Sequence, residues 1–254
     1  MPAFRKDAAA PKSRHRARRS AGGATQRLPV PGLVVLLAAA AVVLVFIPYV
    51  IAPFYRFIDP ISTPMLWRYA TGARVERSIV PLSHIASPLR LVVIVAEDGS
   101  FCRNYGIDLG AIREAMEQSD ENINESRGAS TITQQTVKNL FLWPGRSVIR
   151  KALELPLALW INLVLPKRRI LEIYLNVAEW GPNGEFGAEA GARWAFGKSA
   201  RELTAKQAAE LAAILPNPIV RSARAPSALV RRLAGIYERR AAEFGGLDRC
   251  IRGP

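Results

Sequence analysis

The pattern of hydrophobic and polar positions changes character twice along the chain. Residues 1–27 are polar, punctuated by alanine and proline, and show no apolar periodicity. From Leu28 to Tyr55 no side chain is charged, and Leu33–Ile47 is unbroken hydrocarbon and alanine. As a helix, the 21 residues Gly32–Ala52 would span about 31 Å, close to the thickness of a bilayer core. A cleaved signal peptide would have a shorter apolar stretch and small residues at a cleavage site. Here the run closes on Pro48, Tyr49, Pro53, Phe54 and Tyr55, which suit an interfacial belt. An uncleaved single span is expected, with the N-terminus cytoplasmic and everything from about residue 56 outside.

Beyond the span the periodicity is helical almost throughout. Arg56–Ser87 reads as an irregular or short-helix segment broken by prolines. Leu89–Ala96 is too evenly apolar for an exposed helix and is expected to be central and buried. Asp108–Ser119 is amphipathic, and polar Asp120–Gly128 reads as a mobile loop. Ser130 or Thr131 can cap a helix through Leu140, stopped by Trp143-Pro144-Gly145. Ser147 can cap another, reaching about Leu165 with a kink at Pro156, and Pro166 fits the first turn of the next. Glu189–Phe196, Ala205–Leu215 and Ser227–Phe244 complete the set, with no convincing alternating strands. The expectation is a mainly α protein. It divides into a basic tail (1–31), a transmembrane helix (32–52), a membrane-proximal connector (53–84), one helical domain (85–245) and a C-terminal tail (246–254).

Charge first suggests nucleic acid, because the formal net charge is +14. Half of it lies before the apolar run, where eight basic residues face only Asp7. No nucleic-acid-binding motif accompanies the rest, so no nucleic-acid partner is expected. His15 and His84 stand apart and spell no metal site. Cys102 and Cys250 permit one disulfide in an oxidising compartment without demanding it.

Three segments can carry chemistry. Glu97-Asp98 closes the buried apolar run, where desolvation would raise a carboxylate pKa toward general acid or base duty. The helix emerging into water is the plain alternative. Ser130 to Asn139 is a helix start rich in hydroxyls and amides, suited to anion and sugar oxygens. An ordinary capped helix explains it equally well. Arg150, Lys151 and Glu154 share a helical face, either as a surface ion-pair cluster or as part of a pocket. From Arg127 to Leu153 there are five basic residues and no acid, a segregation that a diphosphate pocket requires.

In this order the three segments resemble the signature motifs of the peptidoglycan glycosyltransferase family, shared by monofunctional transglycosylases and class A penicillin-binding proteins. Glu97-Asp98-Gly-Ser-Phe101 with Gly106 is similar to the first motif, and Gly128 through Lys138-Asn139 to the second. Arg150-Lys151-x-x-Glu154 and Lys167 through Asn176 are similar to the third and its continuation. Gly187–Gly197 and Leu203 through Pro218 extend the match, which covers about residues 85–220. Two positions depart: Asn104 stands where a histidine is usual, and Asn162 where an acid is common.

The resemblance implies a lysozyme-like helical lobe with a small hydrophobic region, built from parts of residues 56–80 and 105–125, dipping into the membrane. It implies polymerisation of lipid II, a disaccharide linked to a lipid diphosphate, into glycan strands. Glu97 would be the general base and Glu154 would support the reacting centre. Asp98, Phe101, Ser130, Thr131, Thr133, Gln134, Gln135, Lys138, Asn139, Arg150 and Lys151 would bind substrate. Its partners would be lipid II, the growing glycan chain and membrane lipid, with cell-wall synthesis or division proteins as further candidates, at the bacterial inner membrane facing the periplasm. No cofactor is required by this resemblance, although a divalent metal assists some members. The 254 residues contain neither Ser-x-x-Lys nor Lys-Thr-Gly, so glycan polymerisation without peptide cross-linking is expected. A lysozyme-like hydrolase or a non-enzymatic lipid II-binding scaffold are the alternatives.

Overall fold

A computed structural model describes residues 30–118, 130–145, 147–244 and 246–252. The expected loop at 120–128, the basic tail, Arg127 and Arg146 therefore lie outside the described residues. Internal contacts separate the chain into two units, one up to Val43 and one from Leu44 onward.

Helix α1 (Val30–Ile51) contains all of the expected span but its last residue, Ala52, and Gly32–Arg56 is long and apolar enough to cross a membrane, with mean hydropathy 2.9. In the first unit its side chains stand in the open, with Val35 69% exposed. Such a surface is stable against lipid rather than water. The helix continues as a 3-10 turn, Ala52–Arg56.

The second unit is helical because its caps and apolar faces agree. After α2 (Thr63–Ala70) come α3 (Ser87–Glu97), α4 (Leu109–Gln118) and α5 (Ile132–Phe141). Then follow α6 (Val148–Val164), α7 (Lys167–Val177), α8 (Ala188–Phe196), α9 (Ala205–Ile214) and α10 (Ala228–Glu243). Ser62, Thr131, Ser147, Thr204 and Ser227 each cap a helix by accepting a backbone N–H, which typically stabilises by about 1 kcal/mol. Pro166 is the N-cap of α7, one position earlier than the expected first turn, and α6 runs through Pro156.

Two packing groups place the site. Helix α3 packs on α9 and α10 and buries Leu89, Val92, Val93 and Ile94. Helix α5 packs on α6 and α7 and buries Ile132, Val137 and Leu140. The end of α3 meets the start of α5, and the tight loop after α3 reaches α6. Gly106 holds that approach with φ +95°; a Cβ there would stand 2.4 Å from the Ala158 carbonyl oxygen. Trp180, Tyr174, Phe101 and Phe186 are the largest buried side chains.

Among the described residues, strand is confined to a two-residue parallel pair, β1 (Glu76–Arg77) with β2 (Glu185–Phe186), with one isolated bridge from Glu179 to Phe186. Segments this short carry no alternation, which is why the pattern showed none. The loop after α3 is also held covalently, by a Cys102–Cys250 disulfide. Sequence alone left that pairing open.

Candidate functional site

Glu97 is the last residue of α3 and faces a cleft of about 660 Å³. Its Oε2 accepts a 2.7 Å hydrogen bond from Gln135 Nε2 on α5. Gln135 is oriented in turn by the buried Tyr174 hydroxyl, which donates to Gln135 Oε1 at 3.0 Å. Burial raises the Glu97 pKa above the ordinary carboxylate range, although Gln135, Lys138 and Arg221 each pull it back. Burial also raises Tyr174 well above its usual value, so this hydroxyl stays a donor. Glu97 and Ser130 also border a second, smaller cavity of about 190 Å³, lined by Asp98, Ser100 and Asp108.

Asp98, 7% exposed, points away from the main cleft into the loop. Its Oδ2 accepts the Ile132 backbone N–H, joining the end of α3 to the first turn of α5. Burial raises this carboxyl, opposed by hydrogen bonds from Asn104, Ile132 and Ser100.

Glu154 has a different setting. It is 3% exposed and paired with Arg150 on one oxygen and with Lys151, at 3.0 Å, on the other. Lys151 Nζ also donates to Ser130 Oγ at 3.0 Å, tying α6 to the start of α5. Burial lowers the Lys138 pKa, and neighbouring Arg150 lowers it further, while Glu154 and Glu97 raise it. Lys138 thus sits among Arg150, Lys151 and both glutamates.

The remaining sequence candidates occupy the inner side of the same junction. Thr131 and Gln134 form a reciprocal capping box, and Thr131 Oγ1 donates to the Gly106 carbonyl at 2.6 Å. Thr133 and Phe101 are fully buried, and Asn139 lies partly buried on α5, its carbonyl accepting from Thr63. Thr133 Oγ1 and Gln134 Nε2 have no hydrogen-bond partner among the described residues. The structure therefore brings Glu97, Ser130, Gln135, Lys138, Arg150, Lys151 and Glu154 together. It places the polar groups of Thr131 and Gln134 inside the scaffold. No group of three or more His, Cys, Asp or Glu side chains forms a metal site among the described residues.

Sequence reasoning did not single out Tyr174's hydroxyl as the partner of Gln135, nor Arg221, Tyr237 and Arg240 as lining the cleft with Glu97. The basic side chains of the last helix carried no local signal, since a charged helix face is ordinarily solvated.

The transglycosylase family model matches residues 65–240, most of the chain and all the elements that build this site. The chain belongs to the transglycosylase family. Curated relatives agree over nearly their whole length. A biosynthetic peptidoglycan transglycosylase of Rhodopseudomonas palustris (strain TIE-1) is 56% identical over 219 residues, covering 86% of this chain and 91% of the relative. The protein of the same name from Nitrobacter hamburgensis is 54% identical, covering 84% of this chain and 95% of the relative. That of Agrobacterium fabrum is 47% identical, covering 82% and 92%. Within this transglycosylase, the helical architecture expected of the family is the one observed.

Proposed function

We propose that the protein is a peptidoglycan glycosyltransferase that polymerises lipid II, with Glu97 as general base. One observation supports this most directly: a desolvated carboxylate on the cleft lies within electrostatic reach of Lys138, which in turn neighbours the cations Arg150 and Lys151 held by Glu154. A carboxyl held above its usual pKa is a better proton acceptor at neutral pH. Clustered cations of this kind suit a leaving diphosphate.

In this reading the 4-hydroxyl of the acceptor N-acetylglucosamine gives its proton to Glu97 as its oxygen attacks. That oxygen bonds to the anomeric carbon of the donor N-acetylmuramic acid with inversion. The bond from that carbon to the diphosphate breaks, and undecaprenyl diphosphate leaves with the electron pair. Arg150, Lys151 and Lys138 stabilise its charge, and Glu154 holds the first two in place. The two cavities that share Glu97 and Ser130 would give acceptor and donor sugars separate seats, with Gln135 on the larger one. Thr131 and Gln134 contribute by fixing the start of α5, and Phe101 and Thr133 by filling its base. A hydrolase would need a seated water and would gain nothing from a diphosphate-sized cationic group.

We place the second unit on the periplasmic side, with α1 as an anchor in the inner membrane. The length and hydropathy of α1 support an anchor, and the disulfide fits an oxidising compartment. The assay is formation of long glycan from labelled lipid II in detergent. Sustained cleavage of preformed glycan without polymer would overturn the reading. Because the protein's own cations face the diphosphate, activity in excess EDTA should stay within about threefold of that with Mg2+; larger loss assigns the leaving-group charge to a metal.

A further inference from the structure

The loop after α3 contains a polar chain that ends at Asp98 and never enters the cleft. Lys167, first residue of α7, donates from Nζ to Asn104 Oδ1 at 2.9 Å. The same oxygen accepts the Gly106 N–H at 3.1 Å. Asn104 Nδ2 faces the other way, 2.9 and 3.1 Å from the two oxygens of Asp98 and 3.1 Å from Ser100 Oγ. A primary amide has two hydrogens, one for the carboxylate and one for the hydroxyl. The cation on one side and the anion on the other leave the amide a single orientation.

Ser100 makes this amide more important. Its hydroxyl lies 3.0 Å from Asp98 Oδ1 and 2.6 Å from Asp108 Oδ2, yet it carries one proton. The shorter bond goes to Asp108, which caps the start of α4 through the Ala111 N–H. Asp98 is then left with Asn104 as its side-chain donor and Ile132 as its backbone donor. Lys167 is committed to this position. Its ammonium stands 4.7 Å from the centre of the Phe101 ring, and burial lowers its pKa to about 8 while Asp98 raises it.

We propose that Asn104, oriented by Lys167, is a positioning residue for catalysis: it holds the Asp98 carboxylate against the first turn of α5 and so fixes the backbone that aims Glu97. The inference rests on Glu97 being the base. Neither Asn104 nor Lys167 lines either cavity beside Glu97, although Asp98 and Ser100, which Asn104 holds, border the smaller one; the main effect is therefore expected in kcat rather than in KM. Helix α7 thereby reaches the paired carboxylates by two routes, Tyr174 through Gln135 to Glu97 and Lys167 through Asn104 to Asp98.

Asn104→Asp is the decisive variant, because it keeps the shape and the Lys167 contact but replaces the donor by an acceptor facing Asp98. Polymerisation of lipid II by the full chain should show kcat lowered about tenfold to a hundredfold near pH 7.5 and KM within threefold. The groups around the new carboxyl are Asp98, Lys167, Asp108 and, beside Asp108, Arg103. Two facing carboxyls regain a donor when one takes a proton, so the ratio of variant to parent kcat should rise as pH falls from 8 toward 5.5. Asn104→His, which can accept with one ring nitrogen and donate with the other, should retain most of the rate. A ratio flat with pH, or a loss wholly in KM, overturns the proposal.

Polymer from the parent chain tests the base assignment only in combination with Glu97→Gln, so the two readings fail separately. A substrate-free check uses thermal melting of Asn104→Leu, Lys167→Met and the double variant. Both single changes remove one shared bond, so the double variant should lose clearly less than the sum of the two. Additive losses would dissolve the couple.

Discussion

The two glutamates of the site are alike in chemistry and opposite in surroundings. Glu97 ends an apolar helix, accepts from a neutral amide, and is pushed up in pKa by desolvation. Glu154 lies within α6 between two cations and is nearly inaccessible. A carboxylate with no dedicated cation is available to take a proton. One held by an arginine and a lysine is committed to keeping those cations in place. The difference supports the proposed division of roles, Glu97 as base and Glu154 as clamp.

Breaking the Glu97 side should give the largest effect. Glu97→Gln should lower kcat by about 10²- to 10⁴-fold, the range for losing a positioned general base. Polymer formed undiminished by this variant would remove Glu97 from the chemistry. The same change should stabilise the fold near neutral pH. A carboxyl whose folded pKa is raised contributes stability below its unfolded pKa and loses it as pH rises through the folded value. Removing the charge should therefore raise Tm above that pH range by the equivalent of roughly 0.5–2 kcal/mol, a gain that vanishes toward acid.

Breaking the Glu154 side should show first in stability. Glu154→Gln leaves Arg150 and Lys151 facing each other and Lys138 without the carboxylate. A loss of roughly 3 kcal/mol, at the lower end for a broken buried pair because Lys151 is partly solvated, should appear in urea unfolding. Unchanged unfolding with lost activity would make Glu154 a chemical participant rather than a clamp.

Two milder changes sharpen the contrast. Gln135→Leu removes the bond that lowers the Glu97 pKa, so the acidic limb of the kcat–pH profile should move to higher pH. An unmoved limb would show that Glu97 does not set it. Tyr174→Phe leaves Gln135 Oε1 without its donor and should cost about 1 kcal/mol with a severalfold lower rate. Thermal melting and initial rates read both.

Most helices were legible because cap and apolar face agreed, as at Thr131 before Ile132–Phe141 and Ser227 before Ala228–Glu243. Glu97-Asp98 was legible as a charged end to an apolar run. Its environment was not, since Tyr174 is 39 residues from the Gln135 it orients, and Arg221 and Arg240 lie more than a hundred residues beyond Glu97 in the sequence. Likewise Thr131 and Gln134 read as sugar-binding groups when viewed locally, while the fold adds a reciprocal capping box between them and a bond from Thr131 to Gly106, with Thr131 also bordering the smaller cavity. Spacing reveals which residues share a helix; it does not reveal which helix will stand opposite. Asn104 drew notice only as a departure from the motif, and its bond to Lys167, 63 residues on, gives that departure a physical setting.

The Cys102–Cys250 bond has a mechanical consequence. It closes a covalent ring over a sequence separation of 148 residues, and the ring contains α5 and α6 with Ser130, Lys138 and Glu154. Tension applied between α1 and the last residues would pass from position 102 directly to position 250. The enclosed helices would feel almost none of it until the sulfur bridge was reduced. A cut anywhere inside the ring would likewise leave one molecule, its two pieces separating only in the presence of a reductant.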